Sequence, residues 1–293
     1  EEGDVTPADP ALAFKWSMRA AEGGSVTAMV KVGIAYGAGR GVGQDSVKAF
    51  EWFQRAIDTG SNSATALISI GRAFADGVGV ERDTRRAFES FERAAGLGSV
   101  RAMELVARAY ERGQGVEQRP DKAVDWFRRA AALGSTTALV ELGRAYASGY
   151  GAAVDQERAY RYFRDAAARG SRYAMSEVGR FLLSGNAIAQ DSEEALEWFI
   201  KAAEFGEVDA MVELAQIYRN GFSIPKDRER SIYWLERAIA GGSNTAKYQL
   251  ALELMNDPAA ARDDARIKRL LKESAAGGEA RAKRMVKSME SAG

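Results

Sequence analysis

The chain has 293 residues, with 41 basic and 41 acidic side chains, a formal charge of zero, no Cys and no His. Neutrality argues against general nucleic-acid binding, which needs a basic surface to displace counterions. The missing Cys and His exclude disulfide frameworks, the usual zinc sites, thiol nucleophiles and every His-dependent triad.

Residues 1–6 are polar and unpatterned and read as a frayed leader. The chain opens on Glu1 rather than Met, so any export signal or anchor ahead of it is out of view. Pro7 or Pro10 opens a helix that carries Ala13, Phe14, Trp16, Ala20 and Ala21 and ends at Gly23–Gly24. From there the chain repeats. Glycines recur at 24, 60, 98, 134, 170, 206, 242 and 278, at spacings of 36, 38, 36, 36, 36, 36 and 36. A period of this size marks a solenoid of supersecondary units.

Each unit holds two helices. Helix A starts at a Ser that can cap free backbone N–H groups (Ser25, Ser99, Ser135, Ser171, Ser243). It stops at a Gly able to take a left-handed conformation (Gly39, Gly77, Gly113, Gly149, Gly185, Gly221). Helix B starts at Asp45, Asp83, Asp155, Asp191, Asp227 or Asp263, with Arg119–Pro120 replacing the Asp in one unit. The predicted fold is all-α: a right-handed α/α solenoid of seven helix pairs with a half repeat at each end. The units fall at 25–60, 61–98, 99–134, 135–170, 171–206, 207–242 and 243–278. Half units at 7–24 and 279–291 complete a single domain over 7–291. Lys287 and Glu290 in the last half unit stand where other units carry core residues, as a solenoid cap requires.

Stacking the units gives columns. Helix A offers an apolar column (Val32, Ile70, Val106, Leu142, Val178, Leu214, Leu250) beside a small one (Gly33, Gly71, Ala107, Gly143, Gly179, Ala215, Ala251). Helix B offers a large column containing Trp16, Trp52, Trp126, Trp198 and Trp234. Recurrence in nearly every unit makes Gly33, Gly71, Gly143, Gly179, Trp52, Trp126, Trp198 and Trp234 structural core rather than a ligand platform.

The pattern A-x-x-x-L-G-x-x-Y-x-x-G-x-G-V…D…A-x-x-W-F-x-x-A-A-x-x-G resembles the Sel1-like repeat family, relatives of the tetratricopeptide repeats. Unit 25–60 carries it at Ala28, Gly33, Tyr36, Gly39, Gly41, Val42, Asp45, Ala49, Trp52, Ala56 and Gly60. The resemblance implies a superhelix with helix A on the concave side. It also implies scaffold work in a bacterial cell envelope, in exopolysaccharide secretion or its regulation, or in polar development. It sets the expected compartment as the periplasm, with the cytoplasm as the alternative. The cysteine-rich secreted branch of the family is not matched.

No motif points to catalysis, a cofactor or a metal. Gly37–Gly43 look like a phosphate loop, but they follow a helix and lack the closing Lys-Ser/Thr. Glu193–Glu194 and Asp263–Asp264 lie at helix starts, where acidic residues favour the macrodipole. Arg82, Arg85 and Arg86 read as a solvated face, with a partner contact as the alternative. No apolar run reaches the roughly 18 residues of a membrane span.

The remaining signal lies on helix A. One column holds Arg72, Arg108, Arg144, Arg180 and Gln216; the column beside it holds Val30, Ile68, Val140 and Val212. Two readings stand. Arg is a strong helix former, and Arg108 could pair with Glu104 and Glu111. Alternatively the arginines form a ladder beside an apolar strip and, with Tyr173 and Tyr248, bind another protein through an acidic or extended segment, or an anionic polysaccharide.

Overall fold

The computed structural model describes residues 9–60, 62–221, 224–256 and 264–291. Among them are sixteen α-helices and no strand. Two compact units divide at residues 154 and 155.

The first unit contains α1 (Pro10–Glu22), α2 (Val26–Ala38), α3 (Ser46–Asp58), α4 (Ala64–Asp76), α5 (Thr84–Gly96), α6 (Val100–Arg112), α7 (Pro120–Ala132) and α8 (Thr136–Ser148). The second contains α9 (Gln156–Ala168), α10 (Arg172–Ser184), α11 (Ser192–Glu204), α12 (Val208–Asn220), α13 (Arg228–Ala240), α14 (Asn244–Met255), α15 (Asp264–Ala276) and α16 (Ala280–Ser291). Within each unit a helix packs mainly on its neighbours in sequence. The closest pairs are α2 with α3, α4 with α5, α6 with α7, α10 with α11, α12 with α13 and α14 with α15. This is the α/α solenoid.

The caps cut the helices to nearly one length. Ser25, Ser99, Ser135, Ser171 and Ser243 each accept the backbone N–H three residues on, and so does Ser63 in the longer unit. Asp45, Asp83, Asp155, Asp191 and Asp227 do the same for the second helix of the pair. Asp263 lies outside the described residues, as do the leader and Pro7; Pro10 takes the first turn of α1. The backbone near the end of the first helix also fixes the corner. The N–H of Asp45 donates to the Tyr36 carbonyl, and Asp83 repeats the bond to Phe74, both at 2.9 Å.

Gly37 belongs to the last turn of α2, Gly39–Gly43 lie in the turn between α2 and α3, and the second positive-φ glycine of that turn has a packing role. A Cβ at Gly41, Gly79, Gly115 or Gly151 would overlap the carbonyl oxygen of Pro10, Ser46, Thr84 or Pro120, at the start of the preceding repeat's helix.

Burial follows the columns, with one correction. Val32, Val106, Leu142, Val178 and Leu214 are fully buried. A Cβ at Gly33 would come within 2.7 Å of Phe53, and Gly71 and Gly179 meet Phe91 and Phe199 in the same way. Gly143 is buried too. The Trp column, by contrast, is not the deepest. Phe163, Phe199 and Leu235, each one residue further along the second helix, are fully buried. Trp52 and Trp234 are buried, Trp126 and Trp198 are half-buried, and Trp16 is 61% exposed. Trp52 and Trp234 keep the core place expected of them, Trp126 and Trp198 sit at the rim, and in each a cation three residues on covers the ring: Arg55 on Trp52, Arg129 on Trp126, Lys201 on Trp198, Arg237 on Trp234. An amphipathic ring takes that boundary, one face on apolar neighbours and one on a cation. In the last helix Lys287 and Glu290 are exposed.

Candidate interaction face

Clefts recur where one repeat meets the next, and the repeat dictates their walls. In the first unit each is floored by helix-B residues and flanked by helix-A residues. In the first unit, Ser46, Ala49, Phe50 and Phe53 floor a cleft of about 390 Å³. Thr84, Ala87, Phe88 and Phe91 floor the next, of about 340 Å³. Pro120, Ala123, Val124 and Phe127 floor a third, of about 260 Å³. In the second unit a cleft of about 590 Å³ opens beside Gln156, Phe181 and Ala187.

The Arg column supplies one wall of each, so the sequence-predicted arginines do share one structural role. Their surroundings differ. Arg180 is held by Glu177, three residues earlier, and by Glu213 of the following repeat at 3.4 Å. Burial alone would lower the Arg180 guanidinium; those two carboxylates outweigh it and raise it above its ordinary value. Arg144 lies 3.6 Å from Glu141. Arg72 and Arg108 have no carboxylate within ion-pair distance among the described residues. Neither local pairing open to Arg108, with Glu104 or with Glu111, is made; Glu104 accepts the Ser135 hydroxyl at 2.6 Å.

The neighbouring column corrects the idea of an apolar strip. Val30 and Val212 are buried, so they offer no surface, while Ile68 and Val140 are half-buried. Gln216, Tyr173 and Tyr248 are half-buried rather than exposed. The Tyr173 ring packs edge-on to Phe163, and Arg281 covers Tyr248. Packing of successive repeats consumes this column, which a single helical wheel does not show.

Three further residues line the 340 Å³ cleft: Arg82, Arg112 and Asp76. Arg85 and Arg86 of the basic run are occupied by Glu89 and Asp83, whereas Arg82 donates from Nε to the Ala75 carbonyl at 3.1 Å. The second unit keeps another feature out of sight of the sequence: Ser231 Oγ, Gln249 Oε1 and Glu253 Oε1 are buried without a hydrogen-bond partner among the described residues. Among those residues no group of acidic side chains gathers as a metal cage, and no helix is long and apolar enough to cross a membrane.

Comparison with known proteins gives a consistent picture. The Sel1 repeat model matches residues 1–25, 26–61, 64–99, 100–135, 136–171, 172–206 and 208–243. A protective antigen present in uropathogenic Escherichia coli strains, with the same repeat fold, superposes with a TM-score of 0.83 at 30% identity. That match covers 97% of this chain and 60% of the antigen, so the chain spans less than two thirds of it. A Sel1 repeat protein from Oxalobacter formigenes gives 0.65 at 31% identity, over 74% of this chain and 88% of the other. No curated protein sequence matches.

Proposed function

The chain belongs to the Sel1 repeat family, whose solenoids commonly serve protein–protein interaction, and on that premise we propose that it is a non-enzymatic scaffold holding a partner segment along its helix-A face. One observation carries the reading: open clefts recur at repeat junctions, walled by a register of arginines of which Arg72 and Arg108 make no ion pair within the scaffold among the described residues. Solenoids recognise partners through such repeated surfaces, with the chemistry set by the residues that vary between units. The partner is an acidic or extended protein segment, because a guanidinium fork matches carboxylates. The setting is a process of the bacterial cell envelope (exopolysaccharide secretion or its regulation, or polar localisation), in the periplasm. The similarity to a protective antigen of Escherichia coli supports looking there first.

The test is a pull-down from the host with the immobilised chain, analysed in parallel for bound protein and bound polysaccharide. A protein retained by the wild type and lost with Arg72→Gln/Arg108→Gln is expected. Retention of acidic polysaccharide alone would favour the second reading, an anionic-polysaccharide-binding part of an export system, which the same arginines support.

A further inference from the structure

The four clefts differ in charge. The 390 Å³ cleft carries Arg72 and Asp76, and the 260 Å³ cleft carries Arg144 with Glu111 and Glu141. The cleft in the second unit pairs Arg180 with Glu177. The 340 Å³ cleft between α4, α5 and α6 gathers four arginines, Arg72, Arg82, Arg108 and Arg112, against the single carboxylate of Asp76. On a chain with no net charge, this excess is local.

Its cause is a single column. Three residues ahead of the Arg in each unit stand Ser69, Leu105, Glu141 and Glu177, and Glu213 holds this place in the unit after Arg180. Arg180 is neutralised from both sides, by the Glu three positions before it and the Glu 33 positions after it. Leu105 holds both of those places at once: it lies three before Arg108 and 33 after Arg72. With Ser69 three before Arg72, the Leu leaves Arg72 without a carboxylate at either place. Glu141, 33 after Arg108, lies 3.6 Å from Arg144 instead, so Arg108 is open as well, and the Leu adds an apolar side chain to the cleft lining.

We propose that the α4–α6 cleft is the acidic-segment site of this scaffold, taking two carboxylate side chains of an extended partner peptide on Arg72 and Arg108, with an apolar side chain between them against Leu105 and Phe88. The rest of the Arg column belongs to the solenoid's own ion pairs. The proposal rests on the scaffold reading above. Charge complementarity names the occupant: each fork is matched by one carboxylate, and the apolar floor favours a polypeptide over a sugar chain.

The experiment is fluorescence anisotropy with a labelled eight-residue peptide, Glu-Leu-Glu-Ser-Glu-Leu-Glu-Ser, and a charge-matched oligogalacturonate as competitor. Wild type is expected to bind the peptide in a salt-dependent manner. Arg72→Gln/Arg108→Gln should weaken it at least tenfold, and Arg180→Gln should change it less than twofold, with circular dichroism confirming both folds. Equal affinity of wild type and the double variant would overturn the cleft assignment while leaving the scaffold reading standing. Binding of oligogalacturonate but not peptide would overturn both. Absence of binding to either probe would overturn the cleft assignment alone.

Discussion

The α4–α6 region of the first unit and the α10–α12 region of the second are built on the same 36-residue plan, yet the first leaves its column arginines open and the second closes its arginine with carboxylates. In the second, Arg180 is clamped by Glu177 and Glu213. In the first, Arg72 and Arg108 face a cleft with Leu105 between them. The junctions differ too. The first unit seats a Gly of each loop directly on the preceding repeat's helix start, whereas the second has Ala187 at φ 94° in the corresponding place. The scaffold columns are constant and the residues beside them vary, so function is carried by departures from the period.

The largest effect is expected where the first unit's loop seat is filled. At Gly79 φ is 76°, and a Cβ would overlap the Ser46 carbonyl oxygen. The left-handed backbone costs an L-residue roughly 1–2 kcal/mol, and forced overlap in a packed contact adds about 1–3 kcal/mol. Gly79→Ala should therefore destabilise by roughly 3 kcal/mol. Hydrogen exchange should show the loss in α3 and α4 first, since solenoid stability is a sum of units and interfaces. Unchanged protection there would show that the loop does not hold the junction.

Leu105→Glu would convert the open region into the closed one. One carboxylate would serve Arg108 as Glu177 serves Arg180, and Arg72 as Glu213 does. Peptide affinity should fall about tenfold, equivalent to about 1.4 kcal/mol, with thermal stability held or slightly raised. Full retention of binding would break the comparison, because pairing would then not be what closes the second region.

A third change acts on the cap of α12. Glu207 stands where other first helices have Ser, and it makes no side-chain cap bond. Burial pushes its carboxyl above the usual range, with Arg172 opposing and Asp209 adding to the rise. A raised folded-state value means stability present at low pH is lost as pH rises through it. Glu207→Ser restores the cap and should stabilise the second unit by about 1 kcal/mol. The gain should be larger at pH 7 than at pH 4 in urea denaturation. A gain independent of pH would assign the effect to the cap alone.

Much of this was legible in the sequence because it depends on local chemistry. Ser and Asp caps, left-handed Gly stops and the Val/Leu column act within one turn of helix, and the period repeats each signal. What escaped depends on neighbours in other repeats. Trp126 and Trp198 look like core by size, but Phe127 and Phe199 take the interior and leave the indoles at the rim. Val30 and Val212 look exposed on a lone helix and are covered once repeats stack. Glu104 looks like the partner of Arg108 until Ser135 of the following repeat takes it. The Ser69, Leu105, Glu141, Glu177 column was in plain view, and its switch from neutral to acidic was the missed signal.

The smallest effect is at Ala187. Its φ of 94° costs a residue with a Cβ roughly 1–2 kcal/mol. Gly would relieve that strain and give back about 0.4–1 kcal/mol through the greater freedom of the unfolded chain. The net is a stabilisation of about 0.5 kcal/mol, measurable as a shift in denaturation midpoint at constant slope. The more telling readout is the cleft that Ala187 lines with Gln156, about 590 Å³ against 260–390 Å³ in the first unit. If the side chain at Ala187 is what sets the width of that cleft, a crystal structure of Ala187→Gly should show the cleft contracted toward the first unit's size. A stabilised variant with an unchanged cleft would separate the two differences, leaving Arg180 closed by its carboxylates alone.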